Sequence, residues 1–230
     1  MSIQENLLKI QQEIHQVCKC ANRECSSVKL LAVSKTKPME DIFSAYKAGQ
    51  VAFGENYVQE GIEKITYFQQ QNINLEWHFI GPLQSNKTRL VAEYFDWIQT
   101  LDREKIAFRL NEQRPINQLP LNVLIQINIS DETTKSGIQP NEMLAFAEYI
   151  QNLPQLKLRG LMVIPAPLKD RLEQQNIFLK VNKLFTDLQK HYPNEQIDTL
   201  SMGMSDDMDL AINAGSTMVR IGTAIFGKRN

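Results

Sequence analysis

Short apolar runs recur about every 25 to 30 residues along the chain, each bounded by turn residues. They predict eight β-strands, at Lys29–Lys35, Val51–Glu55, Glu76–Gly81, Trp97–Thr100, Asn122–Ile129, Lys157–Ile164, Thr199–Met202 and Thr217–Ile221. Several runs are continuously apolar rather than alternating, as in Leu30-Leu-Ala-Val33 and Val123-Leu-Ile125. That is the pattern of parallel strands covered on both faces. Helical periodicity fills the intervals. Met39–Ala48 is amphipathic and ends in Gly49, and Asp206–Ala214 ends in Gly215; glycine is the natural left-handed residue after a helix. Asn141–Gln151 and Leu172–His191 carry the same period, and Ser85 and Asp102 stand where N-caps of the following helices are expected.

A repeated β-α order implies a parallel sheet with right-handed crossovers. Eight such units in 230 residues predict a single-domain α/β fold over residues 1–230, a (β/α)8 TIM barrel. An open doubly wound sheet is the rival, but no Gly-x-Gly-x-x-Gly follows the first strand. Too few residues follow the eighth strand for a full outer helix. An extra amino-terminal helix, about Ile3–Cys20, is therefore expected to fill the vacant sector.

Composition narrows the function classes. The net charge is −1 and the basic residues are scattered, which gives no footprint for nucleic acid or an anionic membrane. The apolar runs are shorter than the ~20 residues of a membrane span, and the amino terminus lacks the charged and apolar regions of a secretion signal. A cytoplasmic location is expected. Cys18, Cys20 and Cys25 make an odd count, against a disulfide framework. With His15 they spell His-x2-Cys-x-Cys-x4-Cys, a spacing that fits no zinc module and that a helix would scatter around its axis. No metal site is expected.

The candidate chemistry begins at Lys35, a lone amine at the end of a buried strand. A lysine in that position can form a Schiff base with an aldehyde. Ser201-Met-Gly-Met-Ser205 and Arg220-Ile-Gly-Thr223 are small polar clusters suited to a phosphate. Barrel sites lie at the carboxyl ends of the strands, with phosphate often held after strands seven and eight. Lys35, Asn56, His78, Ser201, Gly203, Ser205, Arg220, Gly222 and Thr223 all fall toward that end. The phosphate is expected against Ser201–Gly203 and Gly222–Thr223, with Asp206 and Asp207 turned away. Each residue also has a plain reading. Lys35 suits a surface ion pair, Lys37 a solvated neighbour, His78 a satisfied core position, Asn56 a helix cap, and Arg220 a counter-charge for Asp206 or Asp207.

The motifs Ala32-Val-Ser-Lys-Thr-Lys-Pro38, Phe53-Gly-Glu-Asn-Tyr-Val-Gln-Glu60, Glu76-Trp-His-Phe-Ile-Gly81, Ser201-Met-Gly-Met-Ser-Asp-Asp207 and Val219-Arg-Ile-Gly-Thr-Ala-Ile-Phe-Gly227 resemble the pyridoxal-phosphate homeostasis protein family. These are single-domain relatives of the alanine racemase amino-terminal barrel. The resemblance implies a fold-type III barrel that holds pyridoxal 5′-phosphate as an imine on Lys35. It implies a phosphate cradle at Ser201, Gly222 and Thr223, and a cation for the pyridine nitrogen at Arg220. Asn56, His78, Met162 and Met204 fall around the ring. It further implies a monomeric, non-catalytic carrier that maintains vitamin B6 and amino-acid homeostasis and passes the cofactor to apo-enzymes. The alternative is a narrow racemase using Lys35 with His78 or Tyr57 as bases. A racemase needs a base on each face of the substrate carbon, and the second β-domain that supplies one in the racemases does not follow Asn230. A cofactor-free Schiff-base aldolase is a third reading. Lys135 is a candidate second acceptor for the aldehyde.

Overall fold

The structure is a computed structural model that describes residues 2–130, 136–166 and 168–227. Eight parallel strands close into one barrel in sequence order. They are β1 (Lys29–Val33), β2 (Ala52–Glu55), β3 (Glu76–Phe79), β4 (Trp97–Leu101), β5 (Leu121–Gln126), β6 (Leu156–Met162), β7 (Thr199–Ser201) and β8 (Met218–Ile221). The helices among the described residues are α1 (Ile3–Cys20), α2 (Met39–Lys47), α3 (Val58–Gln70), α4 (Thr88–Tyr94), α5 (Glu104–Gln113), α6 (Met143–Gln151), α7 (Arg171–His191), α8 (Met208–Asn213) and α9 (Thr223–Phe226). None is long and apolar enough to cross a membrane.

The continuous apolar runs are explained by burial on two sides. Ala32, Phe53, Phe79, Ile98, Val123 and Val219 point outward and join the shell packed under the helices. Alternate residues point inward and form separate clusters, Leu31 with Ala52, Ile80 and Met218, and Trp97 with Leu124 and Met162. The barrel interior is thus filled by side chains.

The vacant sector is filled as expected. Helix α1 packs against α2, α8 and α9, burying Leu7, Ile10, Ile14 and Cys18 as one stripe at spacings of three and four. Asn6 Nδ2 donates to Ile225 O at 2.9 Å and ties the helix to α9. A capping box starts it: Glu5 N donates to Ser2 Oγ at 3.2 Å, and Ser2 N to Glu5 Oε2 at 2.7 Å. Gly49 and Gly215 take the expected positive φ, +92° and +103°.

Several local expectations differ. A 3-10 turn, Ser85–Lys87, intervenes before α4, so Lys87 rather than Ser85 holds the N-cap position. Asp102 does not cap α5, whose N-cap is Arg103; its carboxylate accepts instead from Arg103 Nε at 3.0 Å and Gly137 N at 3.3 Å. Tyr57, not Asn56, is the N-cap of α3. Strand β1 stops at Val33, and Lys35 lies in the following turn, where Thr36 has φ +63°. The cysteines scatter as a helix requires: Cys18 is buried and Cys20 exposed.

Candidate functional site

A cavity of about 520 Å³ opens at the carboxyl end of the barrel. Its wall is built from the ends of β1, β2, β3, β6, β7 and β8. The first turn after β1 supplies Lys35 and Lys37, and the residue after β2 supplies Asn56. Met204, Ser205 and Asp206 come from the turn after β7, and Arg220, Gly222, Thr223 and Ala224 from β8 and the start of α9. Among the described residues the wall carries the cations Lys35, Lys37 and Arg220 and the one carboxylate Asp206, so the lining favours an anion.

Two features give close backbone approach. A Cβ on Gly222 would meet Val33 O at 3.2 Å, and one on Gly81 would meet Asn56 O at 2.0 Å. Glycine at 81 is therefore required to let the backbone of Asn56 pass. Asn56 Oδ1 is buried at the cavity without a hydrogen-bond partner, an acceptor that a bound donor would satisfy.

Two polar clusters support the lining. The first lies under the Lys35 turn. Lys64 Nζ donates to Ser34 O at 2.8 Å, to Glu55 Oε1 at 2.8 Å and to Glu60 Oε1 at 2.6 Å. Ser34 Oγ donates to Glu55 Oε1 at 2.6 Å. Burial pushes the Glu55 carboxyl up to about 7, against the pull of the Lys64 ammonium. The second cluster holds Arg220. Its Nη1 donates to Ser201 O at 2.9 Å and Ser201 Oγ at 2.8 Å, and its Nη2 to Val163 O at 2.8 Å. Burial lowers this guanidinium to about 10 while the charge of Asp207 opposes the shift; it stays a cation at neutral pH.

Of the nine residues expected at the site, Lys35, Asn56, Met204, Arg220, Gly222 and Thr223 line the cavity. His78, Met162 and Ser201 do not. All three are fully buried inside the barrel. His78 stacks on Trp97 with ring centroids 4.9 Å apart, Met162 packs with Trp97 and Leu124, and Ser201 Oγ donates to Gln99 Oε1 at 2.7 Å. The reason is the period of two along a strand. The residues one layer higher on the same face, Ile80 after His78 and Ile164 after Met162, line the cavity. Ser201 pairs with Met218, two residues below Arg220.

Of the residues expected against the phosphate, Gly222 and Thr223 line the cavity, whereas Ser201 and Gly203 do not. Gly203 is buried, with φ +99°, and a Cβ there would meet Ala211 Cβ at 2.5 Å, so it serves packing on α8. Ser205 takes its place at the wall. The two acids part company. Asp207 turns away, accepting from Met204 N at 2.7 Å and Gln174 Nε2 at 3.3 Å; Asp206 lines the cavity instead of turning away. Lys37 is not a solvated neighbour: it is half-buried and donates to Phe226 O at 3.0 Å, closing α9. Lys135 lies outside the described residues. Sequence reasoning missed Val33, Ile80, Ile164 and Ala224 because it sought polar groups, whereas ligand cavities are lined mostly by apolar ones.

Residues 6–230 match the family model described as alanine racemase, N-terminal domain. Over 230 residues the chain is 71% identical to the pyridoxal phosphate homeostasis protein of Haemophilus influenzae, covering 100% of this chain and 97% of that one. The chain belongs to the pyridoxal phosphate homeostasis protein family. The family's Escherichia coli member is 56% identical over 229 residues, covering 99% of this chain and 97% of that one. PipY of Synechococcus elongatus, whose structure has PLP bound, aligns with a TM-score of 0.84 at 36% identity. That alignment covers 98% of this chain and 100% of PipY. The alanine racemase of Clostridium difficile shares the fold with a TM-score of 0.70 at 20% identity. That alignment covers 95% of this chain and 56% of the racemase.

Proposed function

We propose that the chain binds pyridoxal 5′-phosphate in the barrel-end cavity, through Lys35, and acts as a carrier rather than a catalyst. When bound, this cofactor supplies an aldehyde that joins reversibly to an amine, together with a phosphate anion. The residues fit it. The observation that carries the reading is the placing of an amine, Lys35, a buried guanidinium, Arg220, and a glycine-bearing hydroxyl turn, Gly222–Thr223, on one cavity of about 520 Å³. Lys35 is the amine for the aldehyde. Gly222, Thr223 and Ser205 are the groups for the phosphate. Arg220 is the cation for the pyridine nitrogen; a guanidinium cannot take up that proton, which leaves the ring a weaker electron sink. Asn56 Oδ1 supplies an unused acceptor.

The carrier reading is supported by the residues a racemase would need. His78 is sealed inside the barrel, and Tyr57 is 59% exposed; neither lines the cavity. Both candidates for the second base, the partner that Lys35 would need for two-face proton transfer, are therefore away from the wall. A carrier of this kind limits the concentration of a reactive aldehyde and releases it to amines or apo-enzymes. We take it to work in the cytoplasm as a monomer.

The test is optical. The purified full chain incubated with pyridoxal phosphate should gain a visible absorption band that dialysis does not remove. Lys35→Ala should abolish it. Amino-acid racemisation and exchange of the Cα hydrogen in deuterated water should stay far below the ~1 per second usual for enzymes. Turnover at that rate sinks the carrier reading, and absence of the band sinks the cofactor.

A further inference from the structure

An unbroken chain of hydrogen bonds runs through the barrel interior beneath the cavity. Arg220 Nη1 reaches Ser201 Oγ at 2.8 Å, and Ser201 Oγ reaches Gln99 Oε1 at 2.7 Å. Gln99 Nε2 meets His78 Nδ1 at 2.9 Å, His78 Nε2 meets Glu76 Oε1 at 2.5 Å, and Lys29 Nζ meets the same oxygen at 2.6 Å. The chain joins the cavity to an ion pair at the opposite end of the barrel.

The chemistry of its first member fixes the direction of every link. A guanidinium only donates, so Ser201 Oγ accepts from Arg220 and its own hydrogen goes onward to Gln99 Oε1. The amide is then oriented: Nε2 faces His78 Nδ1, with Met218 Sδ, a weak acceptor, at 3.2 Å. Reversing the amide would turn its oxygen toward that sulfur and its NH2 toward the Ser201 hydrogen. With Nδ1 accepting, the single imidazole proton sits on Nε2 and donates to Glu76. All the links thus point from the Arg220 cation to the Glu76 carboxylate, an arrangement in which neighbouring bonds polarise one another. His78 is completely buried. The groups around it are Glu76 on its own strand, Gln99 and Trp97 on β4, Lys29 on β1 and Arg159 on β6.

We propose that Gln99 is a positioning residue for the site: it orients the interior hydrogen bonds, holds His78 neutral, and couples the Arg220 guanidinium to the Lys29–Glu76 pair at the far end. The coupling to a bound cofactor rests on the function proposed above; the state of His78 does not.

Two readouts test it. In the cofactor-free full chain, 15N–1H spectra of the histidine rings should show His78 protonated at Nε2 alone near neutral pH. Gln99→Glu removes the amide donor and sets a carboxylate against Nδ1, so His78 should gain its second proton. A His78 signal unchanged by that substitution overturns the proposal. With pyridoxal phosphate added, the pH midpoint of its absorption band should rise by up to about half a unit in Gln99→Glu, because the new carboxylate stands nearer to Arg220 along the chain of hydrogen bonds than the proton that His78 gains. Glu76→Gln, at the half-exposed foot, leaves Lys29 uncompensated and should move the midpoint the opposite way. That variant keeps the test open if Gln99→Glu does not fold. Shifts of opposite sign support the relay, since loosened packing has no reason to reverse sign with charge. Unshifted midpoints in variants that carry the band overturn it. A wild-type chain without any band instead defeats the cofactor reading, and the histidine spectra then decide the role of Gln99.

Discussion

Two carboxylates at the barrel, Glu55 and Glu76, are driven in opposite directions, and the signs predict different pH responses. Burial raises Glu55 to about 7 from 4.5, despite Lys64 and Ser34. Burial opposes ionisation of Glu76 too, but hydrogen bonds from His78 and Lys29 outweigh it and hold the group down to about 2. A raised acid contributes stability that is complete below its unfolded value and is lost as pH rises through the folded value. Glu55 should therefore cost stability between pH 4.5 and about 7. Glu76 contributes above 4.5, and that contribution is lost as pH falls toward about 2. Shifts of this size correspond to roughly 3 kcal/mol each. Urea titrations across pH should show Glu55→Gln flattening the slope on the neutral side and Glu76→Gln flattening it on the acid side; identical profiles would contradict the assignment. At this scale the sequence revealed the chemistry of Lys35, Arg220, Gly222 and Thr223, because a strand end and a turn glycine are visible as residue types. It did not reveal depth. Ser201 and Arg220 both point inward, yet the stagger between neighbouring strands sets Ser201 level with Met218. Such a stagger leaves no mark in either strand alone.

Helix α1 shows what an element can do for a barrel whose last strand is followed by a four-residue helix. It covers the sector between α8 and α2, with Leu7 fully buried. Leu7→Ala should cost about 2–5 kcal/mol, the usual range for deleting a buried leucine side chain, and Ser2→Ala about 1 kcal/mol through the lost cap. Deleting residues 2–20 should lower the melting temperature more than either. An unchanged melting temperature in the truncated chain would mean that the stripe Leu7, Ile10, Ile14, Cys18 does not support the barrel. The strands were legible because burial on both faces writes an uninterrupted apolar run. Their ends were not: β5 was expected to reach Ile129 but stops at Gln126, after which Ile127 makes an isolated bridge to Ile138. The caps at Ser85 and Asp102 were misplaced because a 3-10 turn and a tertiary contact to Gly137 claimed those residues first. Only the second depends on a distant chain segment; the turn is local, with Lys87 N donating to Gln84 O at 3.0 Å.

For the whole molecule, the closed β-α order was readable from eight regular repeats, but the cavity exists only once β8 has closed on β1. Its wall draws on residues from Val33 to Gly227, so no contiguous half of the chain contains it. Anything bound there is bound to the complete barrel and not to the unfolded chain. Binding must then stabilise the whole fold, by RT ln(1 + [L]/Kd), or about 2.7 kcal/mol at a hundredfold excess over Kd. For a chain of this length each kcal/mol moves the melting temperature by about 2–4 °C. Pyridoxal phosphate should therefore raise the melting temperature by several degrees, in one calorimetric transition that moves without splitting. Lys35→Ala should lose most of that gain while its cofactor-free melting temperature stays close to the parent's, because Lys35 is half-buried in a turn outside the packed core. A cofactor that stabilised only part of the trace would show that the two edges of the barrel, β1 and β8, separate before the rest unfolds. That outcome would contradict a site assembled by closure.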